Sequence, residues 1–325
     1  MEEVEATPLN PVSRGAGATP LNHAKHDAQH KIDEWVSLNN TTVALDLSIL
    51  NLTELPPLPS NLEKLHCYDN QLTKLPHLLP NLERLLCPDN QLTSLPHLPP
   101  NLEKLLCHNN ELIELPELPQ GLTELSINNN HLTSLPHLPH NLKELWCSNN
   151  QLISLPLLPR GLTELYCFNN QLTELPKLPS SLKVLSCDNN KLTKLPELPP
   201  DLKKLWCNNN RLIKFPLLPS SLKILICNND QLTELPPLPP NLEILRCFNN
   251  ELTSLPPLPS SLKVLDCHNN QLTSLPPLPQ NLVGLQHENN PIQYPPSEVM
   301  KESLNEIREW MSENPLNFVK SAAKK

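Results

Sequence analysis

The 325-residue chain is poor in glycine and in aromatic residues, with five glycines and 3% Phe, Trp and Tyr. Mixed α/β enzymes use glycine freely in their βα turns and phosphate-binding loops, so this composition argues against an ordinary enzyme of that class. The sequence also contains no GxSxG, HExxH, glycine-rich phosphate loop or paired CxxC motif. We therefore expect no catalytic residues, no cofactor and no small-molecule substrate.

Long apolar segments are also absent. No run reaches the ~18 apolar residues of a transmembrane helix. The N-terminus, Met1–Glu5, is acidic and lacks the apolar stretch of a secretory signal peptide. The formal net charge of -9 has the wrong sign for a generally basic nucleic-acid-binding surface. We expect neither membrane insertion nor a nucleic-acid partner.

Proline, by contrast, is abundant, with 39 residues, and such a content is typical of disordered chains unless the prolines are periodic. Here they are periodic. Written in rows of twenty residues from Thr41, the chain has leucine at row positions 2, 5, 12, 15 and 18, cysteine at 7, asparagine at 10, and proline at 16 and 19. Twelve full rows cover 41–280 and a degenerate thirteenth begins at Asn281; we number them 1–13. Disorder is excluded for this part of the chain.

Each row can form a short strand followed by an extended return. In row 2, Leu65 and Cys67 share one face of a strand, Asn70 turns the chain, and Leu72 and Leu75 lie on the return. Proline excludes a helix there, because it removes an amide donor and clashes with the preceding turn.

The unit LxxLxCxxNxLxxLP is the leucine-rich-repeat pattern. One row cannot bury its own leucines, whereas stacked rows can. The predicted fold is therefore a leucine-rich-repeat solenoid of the α/β class. We expect a curved right-handed superhelix with a parallel β-sheet on the concave face, an extended or polyproline-II convex side and short helical caps at both ends.

The two ends of the chain predict the caps that a solenoid needs over its terminal rows. A helix is predicted over His23–Leu38 with Ile32, Trp35 and Val36 on one face. A second is predicted over Ser297–Ser312, with Ser297 as its N-cap and the apolar stripe Met300, Leu304, Ile307 and Met311. The expected division is a disordered segment (1–22), an N-terminal helical cap (23–40), a repeat domain of about 13 units (41–296), and a C-terminal helical cap and tail (297–325).

All ten cysteines occupy row position 7. Rows without cysteine carry Leu47, Ile127 or His287 there, and the aliphatic replacements indicate a small buried apolar site. Neighbouring strands are close enough for disulfides. However, Ile127 divides the column into runs of three and seven, both odd, so neighbour pairing leaves two thiols over. We expect free structural cysteines and a reducing compartment.

Two polar columns could suggest chemistry. The asparagines at row position 10, with Asp230 as one exception, offer donors and acceptors and are predicted to satisfy the backbone of a buried turn across adjacent rows. Histidines group as His23, His26 and His30 on the first helix and as His77, His97 and His137 in one column. Metal ligation needs three or four converging ligands, and neither group has an assured acid or thiol partner. No metal site is predicted.

The candidate binding residues lie at row positions 4, 6 and 8, which alternate away from the buried strand residues and so face the concave side. Six of the eleven aromatic residues lie there, beside Ile224, Ile226 and Ile244. Exposed apolar patches rimmed by charge usually mark interaction sites. The alternative is that these aromatics only pack across neighbouring strands; we favour a binding face.

Position 4 carries Lys64, Arg84 and Lys104, then Glu124, Glu144 and Glu164, then a mixture, an order that would set a partner's register. The predicted anchors are Trp146, Tyr166, Phe168, Trp206, Ile226 and Phe248. The residues predicted to orient the partner are Glu144, Glu164, Asp188, Lys204 and Arg246, and Tyr68 completes the predicted partner-binding set.

The repeat NLxxLxCxxNxLTxLPxLP, as in 101–120 and 261–280, resembles that of the bacterial leucine-rich-repeat effectors of the YopM and invasion-plasmid-antigen-H type. The resemblance covers Thr41 to about Pro296. It implies delivery into a host cell by a specialised secretion machine and binding of host proteins on the solenoid.

One branch of that family carries a C-terminal ubiquitin-ligase domain with a catalytic Cys-x-Asp. Only 29 residues follow Pro296, too few for such a domain. Cys67-Tyr68-Asp69 and Cys87-Pro88-Asp89 match the tripeptide, but both cysteines are predicted to face the core. We expect no ligase activity.

The predicted function is a non-catalytic protein-interaction scaffold, a secreted bacterial effector that binds a host protein on its concave face. Its expected location is the bacterial cytoplasm before export and then the host cytosol or nucleus. Two alternatives stay open. One is a substrate adaptor for a ubiquitin ligase or kinase supplied in trans. The other is an internalin-like surface adhesin, against which the missing signal peptide and wall anchor and the free cysteines weigh.

Overall fold

The structure is a computed structural model that describes residues 21–315. Helix α1 (Leu21–Leu38) is followed by thirteen short strands, a 3-10 helix (Val299–Lys301) and helix α2 (Leu304–Glu313). The strands are β1 (Leu45–Asp46), β2 (Lys64–His66), β3 (Arg84–Leu86), β4 (Lys104–Leu106), β5 (Glu124–Ser126), β6 (Glu144–Trp146), β7 (Glu164–Tyr166), β8 (Val184–Ser186), β9 (Lys204–Trp206), β10 (Ile224–Ile226), β11 (Ile244–Arg246), β12 (Val264–Asp266) and β13 (Gly284–Gln286).

The strands form one parallel sheet in the order β1 to β13. Each residue pairs with the residue twenty positions further along, as Leu65 does with Leu85 and Leu85 with Leu105. This register follows from the repeat length, because a one-residue slip would turn the leucines away from the core. The predicted leucine-rich-repeat solenoid with a parallel sheet is confirmed.

The core is continuous from α1 to α2 and consists of leucine and cysteine. In row 2, Leu62, Leu65, Cys67 and Leu72 are fully buried, and Leu75 is buried slightly less completely. The return segments, row positions 11–20, contain no helix, as proline requires. Their leucines at positions 15 and 18 face inward and close the core on the side opposite the sheet.

The asparagines at row position 10 form the predicted backbone ladder. The Asn170 side-chain amide donates to the carbonyls of Cys147, Cys167 and Phe168 at 3.0–3.2 Å. Its Oδ1 accepts a hydrogen bond from the Leu152 amide of the preceding row at 2.9 Å. Each such side chain therefore satisfies buried backbone groups in two consecutive rows, which confirms the structural interpretation of this column.

A second ladder, which the sequence analysis missed, lies at row position 9. In rows 2–13 this residue is Asn or Asp with φ between 51° and 57°, a left-handed conformation that these two residue types tolerate best. Their side chains bond from row to row, as Asn109 Nδ2 does to Asp89 Oδ1 and Asn229 Nδ2 to Asn209 Oδ1, both at 2.7 Å. The sequence signal was present in the repeated Asn-Asn and Asp-Asn pairs.

The N-terminal helix differs from its prediction at two points. It begins at Leu21 rather than His23, and the residues preceding it, which include most of the segment 1–22 predicted to be disordered, lie outside the described residues. Ile32 and Trp35 are buried as predicted, but Val36 is 54% exposed. The buried stripe is Ala24, Ala28, Ile32 and Trp35, whose spacings of three and four residues exclude the position next to Trp35.

The C-terminal cap is not one helix over Ser297–Ser312. A 3-10 turn precedes α2, and the N-cap is Ser303, not Ser297. Ser303 and Glu306 form a reciprocal capping box, in which the Ser303 backbone amide donates to Glu306 Oε2 at 2.9 Å. This capping box, rather than a cap at Ser297, sets the N-terminus of α2. Ile307 and Met311 are buried as predicted, and Met300 and Leu304 are half-buried.

Candidate partner-binding surface on the concave face

The parallel register stacks row positions 4, 6 and 8 into three adjacent columns on the sheet face that points away from the core. Trp146, Tyr166, Trp206 and Phe248 are half-buried there, and Trp146 stacks on Tyr166 and Phe248 on His268 across adjacent rows. Cross-strand packing and residual exposure therefore coexist on this face. Lys204 and Arg246 are exposed.

The central feature of this face is an aromatic stack across β6 and β7. Trp146 and Tyr166 are directly paired in register, and their rings stack with centroids 6.1 Å apart and planes 26° apart. The Tyr166 hydroxyl donates to Glu164 Oε2 at 3.2 Å. Burial and the Glu164 carboxylate raise the pKa of Tyr166 to about 12. The stack thus forms a rigid platform that is joined to an acidic side chain.

Three glutamates lie side by side next to this platform. Glu124, Glu144 and Glu164 are paired in register across β5, β6 and β7. Lys104 forms an ion pair with Glu124 at 2.7 Å, and no cation pairs with Glu144 among the described residues. Partial burial, and then the Glu164 and Glu124 carboxylates, raise the pKa of Glu144. Like charges directly opposite one another on a sheet are destabilising, so this column attracts positive charge.

Row 8 contributes a carboxylate that is held firmly in place. Asp188 accepts hydrogen bonds from the Ser186 hydroxyl at 2.7 Å and from the Asn208 backbone amide at 3.1 Å. Burial raises the pKa of Asp188 to about 6 despite these two bonds. Asp188 therefore supports the next row, and its predicted role in orienting a partner stays a prediction.

Rows 9–11 form the apolar part of the face. The Lys204 ammonium lies 5.8 Å from the centroid of the Trp206 ring, and Ile226 pairs in register between Trp206 and Arg246. Phe248 stacks on His268 with ring centroids 4.5 Å apart and planes 11° apart.

His268 is a residue that the prediction left out. Its Nδ1 lies 2.6 Å from Asp266 Oδ1, and the ring covers one face of Phe248. The sequence signal was available, since Phe248 and His268 both occupy row position 8 in consecutive rows. A histidine at that position is not distinctive, however, without the geometry of the two rings.

The predicted partner-binding residues are therefore brought together unevenly. Eleven of the twelve, from Glu144 to Phe248, lie on the strands of the consecutive rows 6–11 or within two residues of them. Tyr68 lies in row 2, separated from Trp146 by three rows, and its ring contacts His66 at a centroid distance of 6.5 Å. We define the concave surface as the sheet face of rows 6–11, and Tyr68 is not contiguous with it.

The cysteine column offers no nucleophile to this surface. All ten thiols are free and buried, as predicted. Burial raises the pKa of Cys107 and Cys147 to about 12, so they are protonated at neutral pH. In residues 21–315 no three His, Cys, Asp or Glu side chains converge to hold a metal ion, and no helix of this range is both long and apolar enough to cross a membrane.

Comparison with known proteins gives the class. The family model described as Leucine Rich repeats (2 copies) matches residues 140–180, 160–200 and 240–280. No curated protein sequence matches. A leucine-rich-repeat solenoid is typically a non-catalytic scaffold for binding other proteins, and this chain is a protein-interaction scaffold of that class.

Solved structures identify the family. YopM, described as a leucine-rich effector protein from Yersinia pestis, is 35% identical, with a TM-score of 0.68, over 86% of this chain and 92% of YopM. InlJ from Listeria monocytogenes, whose functional domain includes a cysteine ladder, is 28% identical, with a TM-score of 0.64, over 77% of this chain and 64% of InlJ. A leucine-rich-repeat protein of Leptospira interrogans is 27% identical, with a TM-score of 0.58, over 78% of this chain and 80% of that protein. The chain belongs to the YopM-type family of bacterial leucine-rich-repeat proteins.

Proposed function

We propose that the chain is a secreted bacterial effector that binds a host protein on the concave surface of rows 6–11. The observation that carries this proposal is the Trp146–Tyr166 stack beside Glu144 and Glu164. Half-buried aromatic rings that are held rigid by their neighbours offer contact area at a low cost in conformational entropy. Trp and Tyr are also the residue types that dominate binding energy at protein interfaces.

The charges on this surface define the kind of segment that would bind. The glutamate column of rows 5–7 carries three carboxylates, of which Glu124 has a lysine partner, and a Lys or Arg side chain from a partner would relieve the repulsion at Glu144. Rows 9–11 offer Trp206, Ile226 and Phe248 to apolar residues. We therefore expect a host segment with positive charge opposite rows 5–7 and apolar side chains opposite rows 9–11.

A pull-down from host-cell lysate tests this proposal. Wild type is compared with the double variant Trp146→Ala/Trp206→Ala, and the control is Ile113→Ala, an exposed aliphatic residue on the return side. We expect the double variant to lose partner capture by about tenfold or more and the control to retain it, with unchanged circular dichroism in both. Equal capture by wild type and the double variant would overturn the proposal. Co-purification of a kinase or ubiquitin ligase with the wild type would indicate the adaptor role instead.

The resemblance to InlJ favours a second candidate function, that of a bacterial surface protein. The two candidates differ in where the chain acts. A reporter enzyme fused to the chain and active only in host cytosol should give signal during infection if the chain is an effector. Signal confined to the bacterial surface, with the chain accessible to added protease, would support the surface protein.

A further inference from the structure

The return side carries exposed aliphatic residues that the repeat does not require. Row position 13 is threonine in most rows, and position 17 is usually polar or proline, yet rows 6 and 9 have isoleucine and leucine at these two positions. Leu157 and Leu217 are 83% and 82% exposed, and Ile153 and Ile213 are 62% and 56% exposed. These side chains project into solvent and contribute little to the core, so packing does not explain them.

Rows 6–9, which include these two rows and the two between them, also carry an unusual charge on the return side. The return segments 151–160, 171–180, 191–200 and 211–220 contain six cations, which are all exposed: Arg160, Lys177, Lys191, Lys194, Arg211 and Lys214. Against these stand two carboxylates, Glu174 and Glu197, which leaves a net charge of +4. The other eight complete return segments contain one lysine and six glutamates, a net charge of -5, in a chain whose formal net charge is -9.

None of the six cations forms an ion pair within residues 21–315. Their charge is therefore available to an external anion. A concentration of unpaired positive charge around protruding aliphatic side chains, within an acidic protein, is the combination by which peripheral proteins bind anionic lipid surfaces.

We propose that the return side of rows 6–9, which we call the cationic face, docks on a membrane surface that contains anionic lipid. The four aliphatic side chains would enter the headgroup region while the lysines and arginines contact lipid phosphates and carboxylates. No segment crosses the bilayer in this arrangement. The proposal concerns the side of the solenoid opposite the concave surface and does not rest on the proposed function.

The spacing of the aliphatic pairs favours a lipid surface over a protein partner. Rows 6 and 9 are three rows apart, roughly 15 Å at the usual spacing of strands in the sheet, and the intervening rows present Thr173, Lys177, Thr193 and Glu197 at the same two positions. The apolar residues thus form two separate projections, with polar and charged side chains between them. A protein interface concentrates its binding energy in a contiguous desolvated centre, whereas a fluid interface accepts separate apolar side chains with cations between them.

Row 4 offers a matched control. Ile113 occupies the same position as Ile153 and Ile213 and is 63% exposed, but its return segment carries Glu111, Glu114 and Glu117 and no cation. An aliphatic residue among three carboxylates should be repelled from an anionic surface. Replacing Ile113 removes similar apolar area at an equivalent backbone position without affecting the cationic face.

Co-sedimentation of the full chain with vesicles tests the proposal. Vesicles of phosphatidylcholine alone are compared with vesicles containing about 30% phosphatidylserine, at 0.1 M and 0.5 M NaCl. We expect binding to the phosphatidylserine vesicles only, with marked weakening at the higher salt concentration. Each cation near an anionic surface strengthens binding about fivefold, so Lys194→Glu/Lys214→Glu should weaken it by about 20-fold or more. Ile153→Ser/Ile213→Ser should weaken it by about tenfold, whereas the position-matched Ile113→Ser should bind as wild type does.

Several results would overturn the proposal. These are failure of the wild type to sediment with phosphatidylserine vesicles, equal sedimentation with both vesicle types, or unchanged binding by both double variants. Retention of the wild type on immobilised polyglutamate without vesicle binding would identify an acidic protein as the occupant and would also overturn it. The variant Trp146→Ala/Trp206→Ala should sediment as wild type does, which separates this test from that of the concave surface.

Discussion

Asp230 Oδ1 accepts a hydrogen bond from the backbone amide of Leu212 at 2.9 Å, the contact that an asparagine makes in the neighbouring rows. Its Oδ2 is buried without a hydrogen-bond partner. In the adjacent rows the corresponding atom is the amide nitrogen, which donates to carbonyls, as Asn250 Nδ2 does to Cys227 O at 2.9 Å. Asp230 therefore presents an acceptor where the ladder supplies a donor, unless it is protonated.

This relationship predicts that Asp230→Asn stabilises the protein in a pH-dependent manner. Burial, with a smaller contribution from Asp188, raises the pKa of Asp230 to about 7, whereas the unfolded chain has the ordinary value near 4. The folded state thus retains a proton that the unfolded state releases, so the contribution of Asp230 to the free energy of unfolding falls as pH rises from about 4 through about 7 and changes no further above that.

Thermal unfolding of Asp230→Asn should therefore show a gain that is small at pH 4 and reaches about 1–3 kcal/mol at pH 8. Asp188→Asn is the comparison: Asp188 also has a raised pKa, about 6, so its gain should also grow with pH, but it should be smaller because both oxygens of Asp188 already accept hydrogen bonds. A gain at Asp230 that does not change with pH would show that its carboxylate does not titrate in this range.

The two asparagine ladders should respond differently to substitution. Asn170→Ala leaves the amide of Leu152 without an acceptor in the interior and removes one of the two side-chain donors to each of the carbonyls of Cys147 and Cys167, and we expect it to cost about 2–4 kcal/mol. Asn169 has φ of 51° and an exposed side chain. Asn169→Gly should be nearly neutral and Asn169→Ala should cost about 1 kcal/mol. Urea unfolding measures all three, and equal losses at positions 169 and 170 would contradict the distinction.

Neutralising the glutamate column should raise the stability of the protein and weaken its binding to a partner. Glu144 lies in register between Glu124 and Glu164, so Glu144→Gln removes like-charge repulsion and should stabilise the protein by about 0.2–1 kcal/mol at pH 7 and low salt. The gain should shrink at high salt and disappear as pH falls through the raised pKa of Glu144. Capture of a cationic host segment should weaken in the same variant. The exposed return-side Glu174→Gln should change neither property.

The N-terminal cap predicts a contrast between adjacent residues. Trp35 is buried and its indole Nε1 donates to the Val43 carbonyl at 2.8 Å, whereas Val36 faces solvent. Trp35→Ala should cost about 3–5 kcal/mol and Val36→Ala less than about 0.5 kcal/mol, as measured by urea unfolding. Comparable losses would mean that α1 docks through a different face.

Much of the fold could be predicted from residues that repeat. Leucine at fixed row positions, cysteine at position 7 and proline at positions 16 and 19 each have one compatible environment, and twelve copies of the same pattern reinforce one register. The caps were predicted less accurately because each occurs once. The N-cap at Ser303 follows from a local Ser-x-x-Glu pattern with Glu306, which the prediction of Ser297 missed, whereas the exclusion of Val36 depended on how α1 meets the first row.

The contacts of the candidate site could likewise be predicted only in part. Alternation along the strand placed Trp146 and Tyr166 on one face, and the stack between them follows from a twenty-residue register. The contacts of His268 with Phe248 and Asp266 depend on rotamers, which no periodicity specifies. The cationic face was also missed, since its residues occupy positions that the repeat leaves variable and only solvent exposure shows that Leu157 and Leu217 are not part of the core.

The sequence by itself therefore determined the solenoid, its parallel register and the buried state of its cysteines, because each follows from a constraint that recurs every twenty residues. The tertiary structure decided which face of α1 docks on the first row, how His268 contacts Phe248 and Asp266, and which aliphatic side chains remain in solvent. These features depend on contacts that occur once, between residues far apart in the chain, and such contacts acquire their geometry only when the rows are stacked.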